Sequence, residues 1–365
     1  MTINRLDIQS IRNISSARLD ELGQVNIFHG ANGSGKTSVL EAVHMLCLGR
    51  SFRSRQVRSV IQDTIDGATV FAAVKDAKSA GVKKVGVSRS RTQVAQIRID
   101  GEQIRSLASL AELLPVQLLN ADSFDLIEGG PALRRQFLDW GVFHVEHRFL
   151  EHWQALKKCI KHRNSLLRHG KIQLSSLAAW DRELADHGVS VDASRKQYLT
   201  DYQAIFQPIV ARICGIEDVV LEYRRGWPED QGLLEVLGEH HARDLQQGFT
   251  GSGPHRADIK IRIGGKAAVD VLSRGQEKIL VCALRLAQAE MLRGDGHRSC
   301  LFLIDDLPSE LDADHRQRLC RELEALEAQC FITCIEPGEL GTIWSPDTPV
   351  KMFHVEHGQI SSSQP

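Results

Sequence analysis

The stretch Gly30-Ala31-Asn32-Gly33-Ser34-Gly35-Lys36-Thr37-Ser38 constrains this chain more than any other. It matches G-x-x-x-x-G-K-[ST] in full, the loop that cradles the phosphates of a nucleotide. Glycines let the backbone bend and bring successive N–H groups onto phosphate oxygens. The helix that follows adds its positive end. Each residue from Gly30 to Ser38 is therefore a candidate ATP contact, with Lys36 reaching the β- and γ-phosphates and the Thr37 hydroxyl holding Mg²⁺. The flanks agree: a strand over 25–28 enters the loop and a helix over 37–48 leaves it. A glycine-rich surface turn with a solvated lysine is the bland alternative, and it does not account for those flanks.

A second element supplies the acids. Leu301-Phe302-Leu303-Ile304 is an apolar strand that ends in Asp305-Asp306. Beside a phosphate loop, the first carboxylate is suited to support Mg²⁺ through its water shell, and the second to orient or deprotonate the attacking water. Asp306 and Lys36 are the catalytic candidates; Thr37 and Asp305 are the metal candidates.

The rest of the chain reads as α/β with a helical insert. Runs at 3–9, 25–29, 68–74, 82–88, 94–99 and 116–119 are β-prone, and helices are expected at 103–113 and 37–48. From 132 to 246 the composition turns to Leu, Ala, Arg, Lys, Gln and His at helical spacing, over roughly 132–141, 146–168, 175–212 and 230–246. Strand signals return at 257–263, followed by a helix over 274–293, strands at 300–304 and 331–333, and a helix over 312–328. The division expected is an ATPase head over 1–131 and 247–365, with a mostly parallel sheet, and a helical arm over 132–246. The arm is too short for a sustained coiled-coil rod.

With 365 residues the chain is long enough for two compact regions, and 42% apolar with 25% charged residues is ordinary for a globular protein. No apolar run approaches the ~20 residues that span a bilayer, and the first residues alternate like a strand rather than a leader. Eight scattered cysteines without a C-x-x-C pair read as reduced thiols of a cytoplasmic protein. Phe-His-Val-Glu-His occurs at 143–147 and again at 353–357, but its spacing is not the metal-binding H-E-x-x-H.

Two further motifs narrow the class. Leu272-Ser273-Arg274-Gly275-Gln276 is similar to the L-S-G-G-Q signature of ABC ATPases, with Arg274 replacing a glycine. Ser273, Gly275 and Gln276 open a helix and are candidate contacts to the γ-phosphate of a nucleotide held elsewhere. Directly after the acidic pair, Leu307-Pro308-Ser309-Glu310-Leu311-Asp312 resembles the D-loop S-x-L-D, which makes Asp312 a further candidate. In ABC ATPases the signature of one protomer closes on the nucleotide of another. The resemblance thus implies an ATP-dependent homodimer. ABC enzymes usually carry Glu where this chain has Asp306, and hydrolysis is accordingly expected to be slow.

Segments that generic ATP chemistry does not require point to one family. Gly49–Arg53, Glu128–Asp139 and Thr250–Asp258, together with the motifs above, resemble the motif set of the RecF family of bacterial recombination mediators, in the same order from end to end. The resemblance implies an ABC/SMC-type P-loop ATPase head with a compact arm. It implies ATP-dependent binding of double-stranded and gapped or junction DNA, and loading of RecA with RecO and RecR. Gln117 is then either the residue that touches Mg²⁺ and nucleotide or a buried glutamine on a strand. Arg12 and Asn13 are either nucleotide-facing or a solvated turn, and Thr333 stands where transporters carry a switch histidine. The competing readings are a transporter ATPase subunit, an SMC-like switch and a small-molecule P-loop kinase. The missing switch histidine and the long insert weigh against a transporter, and the signature and D-loop weigh against a kinase.

Net charge is −1, so DNA contact requires local cations. Three clusters offer them: Arg50, Arg53, Arg55 and Arg58; Lys157, Lys158, Lys161, His162, Arg163, Arg168 and Lys171; and Lys83, Lys84, Arg89 and Arg91. Each is otherwise a solvated face.

Overall fold

The structure, a computed structural model, describes residues 1–54, 56–75, 81–92, 95–169, 174–294 and 298–363. Arg55, Lys171, the first residue of the expected 94–99 strand and the last two residues of the chain lie outside the described residues. The chain divides into two compact units, 1–124 with 278–365, and 125–277. The second unit starts seven residues earlier, and ends thirty-one residues later, than the helical segment read from composition.

The first unit holds two six-stranded sheets. One contains β1 (Thr2–Ile11), β2 (Ile14–Leu19), β4 (Gly67–Lys75), β5 (Val82–Ser90), β6 (Gln96–Ile99) and β7 (Glu102–Ile104), in the order β2-β1-β4-β5-β6-β7 and antiparallel throughout. β4 alternates buried with half-buried residues along its length, as a sheet with one covered face requires. β2 lies outside the β-prone runs read from the sequence, and only Ile14 and Leu19 of its six residues are buried. β7 occupies the residues where a helix was expected to begin; that helix, α2, spans Leu107–Leu113.

The second sheet carries the site. It contains β3 (Val25–His29), β8 (Val116–Leu119), β12 (Leu301–Ile304), β13 (Gln329–Cys334), β14 (Val350–Glu356) and β15 (Gln359–Ser363), in the order β15-β14-β3-β13-β12-β8. All neighbours are parallel except β14 and β15. β12 and β13 are buried at every residue, which explains the unbroken apolar run Leu301–Ile304 and the apolar centre Cys330–Ile332 of β13. Helix α1 (Lys36–Leu48) packs against β1, β4 and β5 of one sheet and β12 and β13 of the other. It is therefore buried almost all round rather than along one stripe. Gly49 ends it in a left-handed cap, donating its N–H to Met45 O at 2.8 Å. α11 (Leu307–Glu310) and α12 (Ala313–Ala325) follow β12.

The second unit is not purely helical. It contains α3 (Asp125–Glu128), α4 (Pro131–Val145), α5 (Phe149–His169), α6 (Leu174–Cys214), α7 (Leu233–Glu239), α8 (His241–Gln247) and α9 (Ala268–Val271). Strands β9 (Val219–Arg224), β10 (Asp258–Ile263) and β11 (Lys266–Ala267) form a three-stranded antiparallel sheet beside them. β9 lies inside helical composition, and pairing with β10 places 258–263 in this unit. α10 (Arg274–Gly294) begins here. No helix among the described residues is long and apolar enough to cross a membrane.

Candidate nucleotide site

Parallel strands deliver their C-terminal ends to one edge of a sheet, and ligands gather there. β3 runs into the glycine-rich loop at Gly30, β12 into Asp305, and β13 ends on Thr333 and Cys334. These ends open on a cavity of about 460 Å³ walled on the loop side by Asn32, Gly33, Gly35, Lys36, Thr37 and Ser38. Asp305, Asp306 and Thr333 form the opposite wall, and Arg12, Asn13 and Arg53 the rim.

The loop is shaped by its glycines and held from outside. Gly35 has φ 120°, and a Cβ there would sit 3.0 Å from the Asn13 side chain. Lys36 Nζ spans the loop, donating to Gly30 O at 2.7 Å and Ala31 O at 2.9 Å. Thr37 Oγ1 donates to Asp305 Oδ1 at 3.0 Å. The two residues that sequence spacing separates by 268 positions thus form a hydroxyl–carboxylate pair. Such a pair suits a hard divalent cation that keeps part of its water.

Thr333 links the two acids. Its hydroxyl donates to Asp305 Oδ1 at 2.7 Å and accepts from the Asp306 N–H at 2.8 Å. With its one proton on Asp305, it positions carboxylates rather than replacing a histidine donor to phosphate. Asp306 has φ 53°, in the left-handed region, and its Oδ2 accepts from Ser309 Oγ at 2.6 Å. The serine of the D-loop-like segment therefore holds the second acid.

Arg12 and Asn13, read as nucleotide-facing or as a turn, sit in the turn between β1 and β2 and line the cavity. Arg12 donates to both oxygens of Glu41, at 2.8 and 2.9 Å, and Glu41 is fully buried on α1. That hydrogen-bonded carboxylate raises the Arg12 pKa. Asn13 donates to Ser34 O at 2.9 Å and accepts from Ser38 Oγ at 3.1 Å. Beneath the rim, His44 on α1 hydrogen-bonds Arg50 O at 2.7 Å, and burial lowers its pKa to about 4. Glu41 went unremarked in the sequence, although a carboxylate set among Val39, Leu40, Ala42 and Val43 was a usable signal.

Some expected residues lie elsewhere. Gln117 is 1% exposed on β8, and its amide group bonds Gln288 at 3.0 Å and Arg285 at 3.0 Å. It pairs with Phe302, two positions short of Ile304, so it lies below the edge where Asp305 emerges. Of the two readings of Gln117, the buried strand glutamine describes its position here, and it is not among the residues that line the cavity. Asp312 caps α12, accepting from the His315 N–H at 2.9 Å, and does not line the cavity. Ser273, Gly275 and Gln276 belong to the second unit and are exposed. Ser273 and Gln276 form a reciprocal capping box at the start of α10, with N···O distances of 3.4 and 3.0 Å.

The cation clusters divide as well. Lys157, Lys158, Lys161, His162 and Arg168 are exposed on α5, with the His162 ring stacked on Trp180. Arg163 is fully buried and ion-paired to Asp181 and Asp244, which removes it from any surface. Arg50, Arg53 and Arg58 are exposed, and Arg53 faces the cavity. In the third cluster Arg91 is tied to the carbonyls of Gln62, Asp63 and Ile65. The two Phe-His-Val-Glu-His copies fall in unlike places, one at the end of α4 and the other in β14 and its turn.

The donor set fits a nucleotide with Mg²⁺. A loop whose φ angles demand glycine, a cation across its mouth and a hydroxyl–carboxylate pair converge on one cavity, and within the loop Ser34 Oγ is buried without a hydrogen-bond partner.

The family model described as RecF/RecN/SMC N terminal domain matches residues 2–361. The DNA replication and repair protein RecF of Pseudomonas aeruginosa is 50% identical over 363 residues, covering 100% of this chain and 98% of the relative. That of Pseudomonas fluorescens is 48% identical, covering 100% and 99%. Among solved structures, the recombination mediator protein RecF with ATP superposes with TM-score 0.87 at 24% identity, covering 100% of this chain and 98% of the other. An SMC head bound to the C-terminal winged-helix domain of ScpA gives 0.60 at 12% identity, covering 100% and 98%. These two likenesses establish the fold.

Proposed function

Because the chain belongs to the RecF family of DNA replication and repair proteins, we propose that it is an ATP-dependent DNA-binding recombination mediator whose ATP-bound form is a homodimer. The observation that supports this reading is the exposure of Ser273, Arg274, Gly275 and Gln276 at the start of α10, a signature-like segment open to solvent. The cavity of the first unit carries the loop, Thr37, Asp305 and Asp306 but no signature of its own unit among the described residues. Two copies would complete two sites.

Within each site, Lys36 and the loop N–H groups would bind the β- and γ-phosphates, and Thr37 with Asp305 would hold Mg²⁺. That ion supplies charge neutralisation between the phosphates. Asp306 holds and orients the water. Its side chain is one methylene shorter than a glutamate and already accepts from Ser309, so alignment is poor. Turnover below ~1 s⁻¹ is expected, the low end of enzyme rates, and a rate comparable to fast transporter ATPases would remove the switch reading. DNA should stimulate it; a transporter subunit or a small-molecule kinase would not respond.

Solution mass with and without ATP·Mg²⁺ and gapped DNA, with Lys36→Arg as control, tests the proposal. Nucleotide-dependent dimers that bind DNA, absent in the variant, are the expected result. A monomer under every condition overturns it. For the DNA surface we favour α5, where residues 152–169 contain no acid and Lys157, Lys158, Lys161 and Arg168 face solvent. Replacing Lys157 and Lys161 by Glu should flatten the salt dependence of duplex binding by about 2 in log–log slope; an unchanged slope clears α5. Family membership extends the proposal to RecO and RecR as partners in loading RecA.

A further inference from the structure

The second copy of Phe-His-Val-Glu-His plays no part in the phosphate chemistry above, yet it builds a wall of the loop. β14 pairs with β3 in parallel, Phe353 opposite Phe28 and His354 opposite His29. The two phenyl rings stack with centroids 5.0 Å apart. Gly30 lies so close to β14 that a Cβ on it would collide with the Val355 carbonyl. His357 and Gly358 then turn the chain with φ of 48° and 80°, the two-residue turn that suits twisted antiparallel strands.

From that turn the Gly358 N–H donates to Ser34 O at 2.8 Å. Asn13 Nδ2 donates to the same oxygen at 2.9 Å from the turn between β1 and β2. A trans peptide is a rigid plate whose carbonyl and N–H point to opposite sides. Two anchors on the Ser34 oxygen therefore aim the Gly35 N–H the other way, and Gly35 is part of the cavity wall.

From this geometry we infer that the C-terminal hairpin belongs to the nucleotide site and that Gly358 is a positioning residue, acting through the Ser34–Gly35 peptide. The inference rests on the proposed binding of ATP. Only glycine serves at 358: a Cβ there would collide with the Asn13 carbonyl oxygen and lie 2.8 Å from its carbon. Any side chain drives the two turns apart and loosens both anchors together. The effect belongs to binding, because the anchored N–H serves phosphate in the ground state as well as during hydrolysis.

The test measures ATP affinity by displacement of a fluorescent ATP analogue, with KM, kcat and the thermal midpoint, on the full chain. Gly358→Ala adds both the Cβ and left-handed strain. Gly358→Asn relieves most of the strain, since Asn tolerates that region, but keeps the Cβ. Gly264→Ala adds strain alone, at φ 54° with nothing within 4 Å of the new carbon. Both Gly358 variants should weaken ATP binding tenfold or more and raise KM with kcat within about threefold. Gly264→Ala and His357→Asn should bind like the parent chain. Parent-like affinity in Gly358→Asn, or an equal loss in Gly264→Ala, overturns the inference. Should the Gly358 variants fail to fold, Asn13→Ala removes the other anchor without touching the turn, and unchanged affinity there overturns it as well. A parent chain that binds no ATP removes the underlying reading too, an outcome distinct from a binding parent with unaffected variants.

Discussion

The two compact units hold their interiors by different physics. In the first, α1 and the two sheets bury Ile, Val, Leu and Phe with few charges, chiefly Lys36 and Glu41 at the site itself. In the second, arginines are built into the core. Arg163 is fully buried, donating to Asp181 at 2.6 Å, Asp244 at 2.7 Å and Thr250 at 3.0 Å. Arg195 engages Asp139 at 2.8 and 3.0 Å, and Arg134 engages Asp258 at 2.7 and 3.2 Å. Apolar burial has no direction, and a sheet core tolerates many packings. A buried ion pair gives little net stability after desolvation, but it satisfies its charges in one arrangement only. Both units are thus held by buried apolar area, and in the second unit the ion pairs fix which packing is adopted.

The sharpest way to break this contrast is to remove one partner. Asp244→Ala removes one of the two carboxylates that hold Arg163 and leaves Asp181 as its ion-pair partner, and about 1.5–3 kcal/mol of stability should be lost, the worth of a buried hydrogen bond to a charged group. Hydrogen exchange should locate the loss in 125–277 while ATP affinity survives. Replacing Arg163, Asp181 and Asp244 together by apolar residues should be neutral or stabilising. Loss from the triple variant as large as from Asp244→Ala would mean that the pairs supply stability after all. In the head, Leu303→Ala on fully buried β12 should cost about 2–5 kcal/mol through the cavity it opens.

The same contrast explains what could be read from the chain. The phosphate loop, the Asp305-Asp306 strand end and the capped start of α10 are local patterns, and each sits where its spacing implied. Thr333 and Gly358 reach the site only because the sheet order β14-β3-β13-β12 brings their strands side by side, while Asn13 comes from the β1–β2 turn of the other sheet, and no local pattern encodes either placement. The two readings of Gln117 differ by two residues of strand register, which sequence cannot fix. In the second unit, β9 hid within helical composition, and Arg163 read as a surface cation when its partners lie 18 and 81 residues away.

Acid sets the units on an equal footing. His44 in the first is buried and His255 in the second is half-buried, and loss of hydration lowers each pKa to about 4. An unfolded histidine titrates near 6.5, so between those values the unfolded chain binds more protons and stability falls with falling pH. Each histidine should cost about 2 kcal/mol between pH 7 and pH 5. The Arg-paired Asp258, whose pKa is lowered, adds its own loss only at more acidic pH, through the carboxylate range. Denaturant melts across this window should show a decline that His44→Gln halves. A flat profile would place both rings in contact with water.

The smallest expected effect separates stability from function at one residue. Asp312 caps α12 through the His315 N–H, and its second oxygen lies 2.6 Å from the His315 ring, contacts that lower its pKa. Asp312→Ala should cost about 1 kcal/mol, the usual value of an N-cap. Asp312→Asn keeps the capping oxygen and should cost only a few tenths of that. The asparagine variant therefore retains the helix while removing the charge. Loss of ATP-driven dimers in Asp312→Asn, at unchanged melting temperature, would give this D-loop-like carboxylate a part in the contact between copies. Full dimerisation in Asp312→Asn and reduced stability in Asp312→Ala would leave it a cap, and its place in the head would be structural like that of Gln117.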